Sequence, residues 1–355
     1  MTTISETAQP VGPPPLSIPL SVLERGGHSA ETSGEQALQD VVETARTADA
    51  YGYHRFWIAE HHAAQKSASS FPAVLIAHIA ALTERIRVGS GGVMLPNHPP
   101  FTVAEQFATL QALHPGRIDL GIGRSSGGTT AAHRLLEAAL RRDPRAVTEF
   151  PAQIDELLGF LHHRGPDRNR FHALPLTPHT ATPPEVHVLG ASANSGRIAA
   201  ERSLPFVYGH HLSRTVCRPE AVERYRSAFE PGPDGAQPYV IVSVQVVCAE
   251  SDERAESLAL ETAVYLIAHS GDTAPDAPLS PVREKYLAER ALEEYQVVRG
   301  APATVAAELD RLAAELGADE LMIVPYELSG AARGRTLRLA AGAPRTQSPR
   351  RAARS

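Results

Sequence analysis

Apolar positions along the chain follow two rhythms that take turns. Residues 16–23 (LSIPLSVL) alternate apolar and polar, as a strand with one inward face does. Ser33 with Gln36 then makes a capping box for a helix carrying Leu38, Val41, Val42, Ala45 and Ala48 on one face. A short apolar run at 55–58 precedes a helical period through Val74, Ala77 and Ala80. A strand at 86–94 ends at Leu95-Pro96-Asn97, and Thr102 with Glu105 caps a helix through Val103, Phe107 and Leu110. His114-Pro115-Gly116 turns the chain into 118–122, and Val147, Ile154, Leu157, Leu158 and Leu161 mark a long helix. Further apolar runs at 185–189, 205–208, 239–248 and 320–324 are separated by helical periods. The eight strand candidates are mostly β-branched and apolar, as buried parallel strands are. Eight βα units close a barrel, so the predicted fold is α/β, a (β/α)8 TIM barrel.

Residues 125–184 and 269–301 break the spacing, the latter with Pro275, Pro278 and Pro281. Both follow strand candidates. In a barrel they are βα insertions at the C-terminal face, where they are expected to form a lid and a pocket wall. Residues 1–14 and the Arg-rich tail 341–355 lack the apolar content to order themselves and are expected to be disordered, leaving 15–340 as the barrel.

Composition narrows the function classes. Forty acidic against 34 basic side chains give a formal charge of −6, which argues against a whole-domain grip on nucleic acid or anionic lipid. Two cysteines, Cys217 and Cys248, are too few for a disulfide framework. The first fifteen residues read as no leader and no stretch reads as a membrane span, so a soluble cytoplasmic protein is expected.

Four groups carry candidate chemistry. Glu60-His61-His62 follows the second strand and places ionisable side chains at the barrel mouth, against the alternative of one strand-capping and one solvated imidazole. No metal site is expected, because adjacent side chains diverge on extended backbone and no zinc spacing appears. Gly89-Ser90-Gly91-Gly92 interrupts a strand, which signals close approach by a ligand or crowding by packing. Gly123-Arg124 ends the fourth strand with a cation able to grip a phosphate or pair with a surface carboxylate. Ala191, Ser192, Ser195 and Arg197 surround a helix start after the fifth strand, either an anion site or plain N-capping.

Phe56 to His62, Ile86-Arg87-Val88-Gly89 with Val93 to Pro96, Glu105-Gln106, and Pro115 to Arg124 together resemble the bacterial luciferase-like, flavin-dependent monooxygenases, in matching order over roughly residues 16–330. The resemblance implies reduced FMN delivered by a separate NAD(P)H-dependent flavin reductase, O2 as co-substrate, and a flavin C4a-hydroperoxide that oxygenates a small organic substrate, natural products included. It makes His61 the active-site histidine, with Glu60 and His62 its neighbours. Gly91 and Gly92 fall where members place a non-prolyl cis peptide against the flavin ring. Gly123 stands where luciferase carries a cysteine near the flavin. Arg124 matches the phosphate-gripping arginine, and Ala191, Ser192 and Ser195 the loop that completes the grip; Arg197 occupies a position that is acidic in luciferase. These departures place the chain nearer the single-chain oxygenases. His210 and His211, after the sixth strand, are expected on the substrate side, and a homodimer is the expected assembly. An F420-dependent oxidoreductase and a non-catalytic flavin-binding protein are the competing readings.

Overall fold

A computed structural model describes residues 18–64, 66–124, 131–162, 174–232, 235–269 and 279–342. The termini expected to be disordered lie outside these residues, except that the last helix reaches Ala341. In chain order the elements are β1 (Leu20–Glu24), α1 (Gly34–Ala50), β2 (Arg55–Ile58), α2 (Pro72–Leu82), β3 (Arg87–Met94), α3 (Pro100–Leu113), β4 (Ile118–Gly123), α4 (Ala131–Ala139), α5 (Phe150–His162) and β5 (Glu185–Gly190). There follow α6 (Ala193–Ala200), β6 (Phe206–Tyr208), α7 (Glu220–Ala228), β7 (Val240–Cys248), α8 (Asp252–Ala268), α9 (Pro281–Glu294), β8 (Val298–Gly300), α10 (Pro302–Leu316), β9 (Glu320–Pro325) and α11 (Gly330–Ala341).

Every pairing is parallel: β1 to β7 in sequence, then β7 with β9, and β9 back on β1. Eight strands therefore close the expected (β/α)8 barrel. The three-residue β8 pairs with the end of β7, and its Val-Arg-Gly sequence carries no pattern that marks a strand.

The helices pack their inner stripes on the barrel, with some shifts from the periodic reading. β1 starts at Leu20 and buries residues on both faces, so the expected one-faced alternation does not hold. Ser33 Oγ accepts the Gln36 amide at 3.2 Å, but the Gln36 side chain donates to Asp40 at 2.8 Å, so half the capping box forms. α3 opens on Pro100, which presets the helical φ, and Thr102 lies inside the helix rather than capping it. Leu38 and Val74 face solvent; the buried stripes run through Ala37, Val41 and Ala45 in α1 and Ile76, Ile79 and Ala80 in α2.

The barrel interior is filled in two chemical layers. Leu23, Trp57, Ala59, Val207, Ile241, Met322 and Val324 form an apolar plug. Below it, at the strand starts, Arg55 reaches Asp119 and Glu320 at 3.1 Å and Glu185 at 3.2 Å, while Trp57 Nε1 donates to Asp119 at 2.9 Å. This charged layer occupies the N-terminal end, which in such barrels serves stability and leaves the opposite rim for binding. Among the described residues, no helix is long and apolar enough to cross a membrane.

Candidate active site

A cavity of about 490 Å3 opens over the C-terminal strand ends. Its wall includes Leu23 and Arg25 from β1 and its exit, Ala59 to His62 after β2, Gly91, Gly92 and Met94 on β3, Gly123 and Arg124 after β4, and Leu189 and Gly190 on β5. Leu136, Glu137 and Leu140 close one side, so α4 supplies the pocket wall expected of the first insertion. The tip of the second insertion, 270–278, lies outside the described residues.

The turn after β2 is tied down by Ser69. Its carbonyl accepts the His61 amide at 2.8 Å and its hydroxyl donates to the Ala59 carbonyl at 2.5 Å. The His61 ring opens into the cavity. Desolvation by the surrounding walls, and then the Arg25 guanidinium, hold its pKa below the ordinary imidazole value, against a hydrogen bond to the Arg25 backbone.

Glu60 is buried beneath it and serves as a hub. One carboxylate oxygen meets His62 Nε2 and His98 Nε2, each at 2.9 Å, and Asn97 Nδ2 at 3.3 Å; the other accepts the Met94 amide at 3.1 Å. Burial alone would raise its pKa, but the hydrogen bonds from His98, His62 and Met94 prevail and hold it low. Glu60, His62 and His98 also place one potential metal-ligand atom each within 4.8 Å of one another. Adjacency in sequence gives no sign of this grouping, because His98 arrives from the 3-10 turn after β3.

On the same cavity wall, Arg124 has no carboxylate partner among the described residues, unlike Arg142, which also lines it and pairs with Glu137 at 3.3 Å. Gly190 is held bare by packing, since a Cβ there would lie 2.3 Å from Ser195 Oγ. Ser195 thus sits directly behind the wall. Ser192 N-caps α6 by accepting the Ser195 amide at 3.3 Å, and the two hydroxyls lie 3.0 Å apart. Ala191, Ser192 and Ser195 are not themselves on the cavity wall. Arg197 is exposed and paired with Glu201 one turn on and with Asn194 at 3.1 Å, so it lies outside the expected phosphate loop.

The peptide between Gly91 and Gly92 is cis, where the resemblance places it. The two histidines after β6 part company. His211 is anchored to Ser243 Oγ at 2.7 Å and faces the cavity; burial and then Arg25 push its pKa down to about 3. His210 turns to the other side of the chain and is buried near Arg214 and Glu315, so it does not join the substrate side. Sequence reasoning missed Arg25, Asn97, His98 and Ser243. For Arg25 the signal was available, since it directly follows a barrel strand.

A closed (β/α)8 barrel whose strand ends surround a cavity lined by imidazoles and a guanidinium with no carboxylate partner among the described residues is the layout of a small-molecule enzyme. Residues 19–320 match the luciferase-like monooxygenase family. A protein of Escherichia coli strain K12 named luciferase-like monooxygenase is 34% identical over 318 residues, covering 86% of this chain and 91% of its own. The N-acetyl-S-alkylcysteine monooxygenase of Bacillus subtilis strain 168 is 32% identical over 315 residues, covering 86% and 92%. The crystal structure of apo-MsnO8 superposes with a TM-score of 0.76 at 35% identity, covering 91% of this chain and 96% of its own. The chain belongs to the luciferase-like monooxygenase family and is accordingly an oxidoreductase.

Proposed function

We propose that this protein is a flavin-dependent monooxygenase that takes reduced FMN from a separate NAD(P)H-dependent flavin reductase and, with O2, oxygenates a small organic substrate. The observation that carries the reading is the pairing, on one cavity wall, of an arginine lacking any described carboxylate partner with an imidazole kept neutral at physiological pH. The cavity's volume of about 490 Å3 lies inside the roughly 300–1,000 Å3 range of small-molecule sites. Gly91, Gly92, Gly123 and Gly190 contribute backbone without side chains, which suits a flat ring. The donor set therefore fits FMN.

In this reading Arg124 holds the phosphate through its forked donors, and the Ser192 and Ser195 hydroxyls complete the grip from behind Gly190. The flavin, when bound, supplies the electrons and the site of oxygen activation. His61 takes or returns a proton at its ring nitrogen, and Glu60 fixes His62 and His98 around it. Leu136 of α4 and Leu140 just after it keep water from the reacting atoms. The reductase and a homodimeric assembly belong to the same proposal.

The test is anaerobic mixing with reduced FMN followed by an oxygen pulse. An oxygen-dependent transient absorbance distinct from oxidised FMN is expected. Saturable binding of F420 with none of FMN would replace the reading by that of an F420-dependent oxidoreductase. FMN binding without oxygen-dependent turnover of any substrate would leave a flavin-binding protein.

A further inference from the structure

Arg25 belongs to two cavities at once. Besides the one described, it lines a second of about 650 Å3, bounded by α8, α9, Gln245 of β7 and Tyr326 just after β9. Its guanidinium has no ion pair or hydrogen bond among the described residues. Glu24 beside it is committed to Arg333 at 3.0 Å, and Glu294, across the second cavity, takes the Ser213 hydroxyl. A half-buried cation whose neighbouring carboxylate Glu24 is committed to Arg333, and which has no ion pair of its own among the described residues, is costly to keep unless an anion from outside completes it.

The rest of the second cavity has the chemistry of a chain-binding chamber. Ala263 and Leu266 from α8 and Leu287 from α9 give it an apolar side. Gln245 is almost fully buried and its amide nitrogen donates to the His211 carbonyl at 2.7 Å, but its side-chain oxygen is buried with no partner. The fold therefore places a cation with no ion pair among the described residues at the junction, an apolar chamber on one side of it, and the His61 cavity on the other.

We propose that the second cavity is the substrate chamber and that the substrate is an organic acid, its carboxylate resting on Arg25 and its apolar chain lying between α8 and α9. The word substrate rests on the flavin reading above; the acid site itself does not.

Octanoate and its neutral counterpart octanamide are the probes, titrated calorimetrically into the whole purified protein with FMN titrated separately into the same preparation. Octanoate is expected to bind at least ~10-fold more tightly than octanamide, as a charge-assisted contact requires. Arg25→Met is expected to bring the two within about threefold of each other, and Arg25→Lys to retain part of the preference. Equal binding of the two probes to the unaltered protein overturns the proposal without need of a variant, as does a preference that survives in Arg25→Met. FMN binding without acid preference sinks the acid site alone, whereas acid preference without FMN binding sinks the flavin reading and the substrate role with it.

Discussion

Replacing Arg124 by Gln isolates the phosphate grip. The guanidinium stands half-buried on the cavity wall with no described carboxylate to reorganise when it is lost. Hydrogen bonds to a charged group contribute about 1.5–3 kcal/mol each, and partial solvation favours the low end of that range for the pair taken together. A loss of about 2 kcal/mol corresponds to a ~30-fold rise in Kd. Arg124→Lys keeps the charge but loses the fork and should cost roughly fivefold. Equilibrium quenching of flavin fluorescence measures this directly. Riboflavin, which lacks the phosphate, supplies the control: its affinity should be the same in all three proteins, and added salt should weaken FMN but not riboflavin. Unchanged FMN affinity in Arg124→Gln, or a parallel loss for riboflavin, refutes the reasoning.

Arg197→Ala should leave FMN affinity within about twofold, because the side chain is exposed and engaged with Glu201 and Asn194; a tenfold loss would return it to the phosphate loop. His61→Ala should lower oxygen-dependent turnover by about 10²–10⁴ with FMN still bound. Since the walls and Arg25 depress the His61 pKa, the neutral ring persists down through pH 6.5, so the acid limb of the rate profile falls below that value and one at pH 7 would contradict the role. Asp119→Asn leaves Arg55 and Arg87 facing an uncharged amide, a loss of about 3–5 kcal/mol for a broken buried pair. At about 2.1 cal/mol/K per residue over roughly 300 residues, Tm should drop by about 5–8 °C. Burial opposes ionisation of Asp119, but Arg55, His187 and Arg87 together hold its pKa below the ordinary value. Its contribution is therefore full above about pH 4 and lost as pH falls further, so the Tm gap is level from pH 8 to pH 5 and narrows only below about pH 4. A gap under about 1 °C at neutral pH would remove the layer's stabilising role. Gly121→Ala should abolish soluble expression, because its Cβ would stand 2.1 Å from the Ser90 carbonyl oxygen and neither backbone can yield.

The barrel was legible because strands buried on both faces are mostly apolar, and β2, β4, β6 and β7 keep that composition apart from Arg55, Asp119, Ser243 and Gln245. Helix faces were less so. Val74 belongs to the apolar pattern but faces solvent at 68% exposure, since α2 is apolar nearly all round and periodicity alone cannot choose its inner side. The strand-end rule found Glu60, His61, Gly123 and Arg124 because each lies within a few residues of a strand terminus. It passed over Arg25 because the alternating reading ended β1 at Leu23, one residue before its actual terminus at Glu24.

His98 shows a different limit. It lies 38 residues from Glu60, and its contact at 2.9 Å depends on the 3-10 turn Leu95–Asn97 folding back over the β2 exit. Nothing local encodes such a meeting, because parallel strand neighbours are brought together by register rather than by sequence distance. The same register explains the fates of His210 and His211. Anchoring the backbone amide of His211 to the Ser243 carbonyl at 2.8 Å, and its ring to the same residue, turns it inward and obliges its neighbour to leave the cavity. Sequence proximity to a strand end therefore selects a pair of candidates, and the cross-strand partner decides which of them faces the cavity.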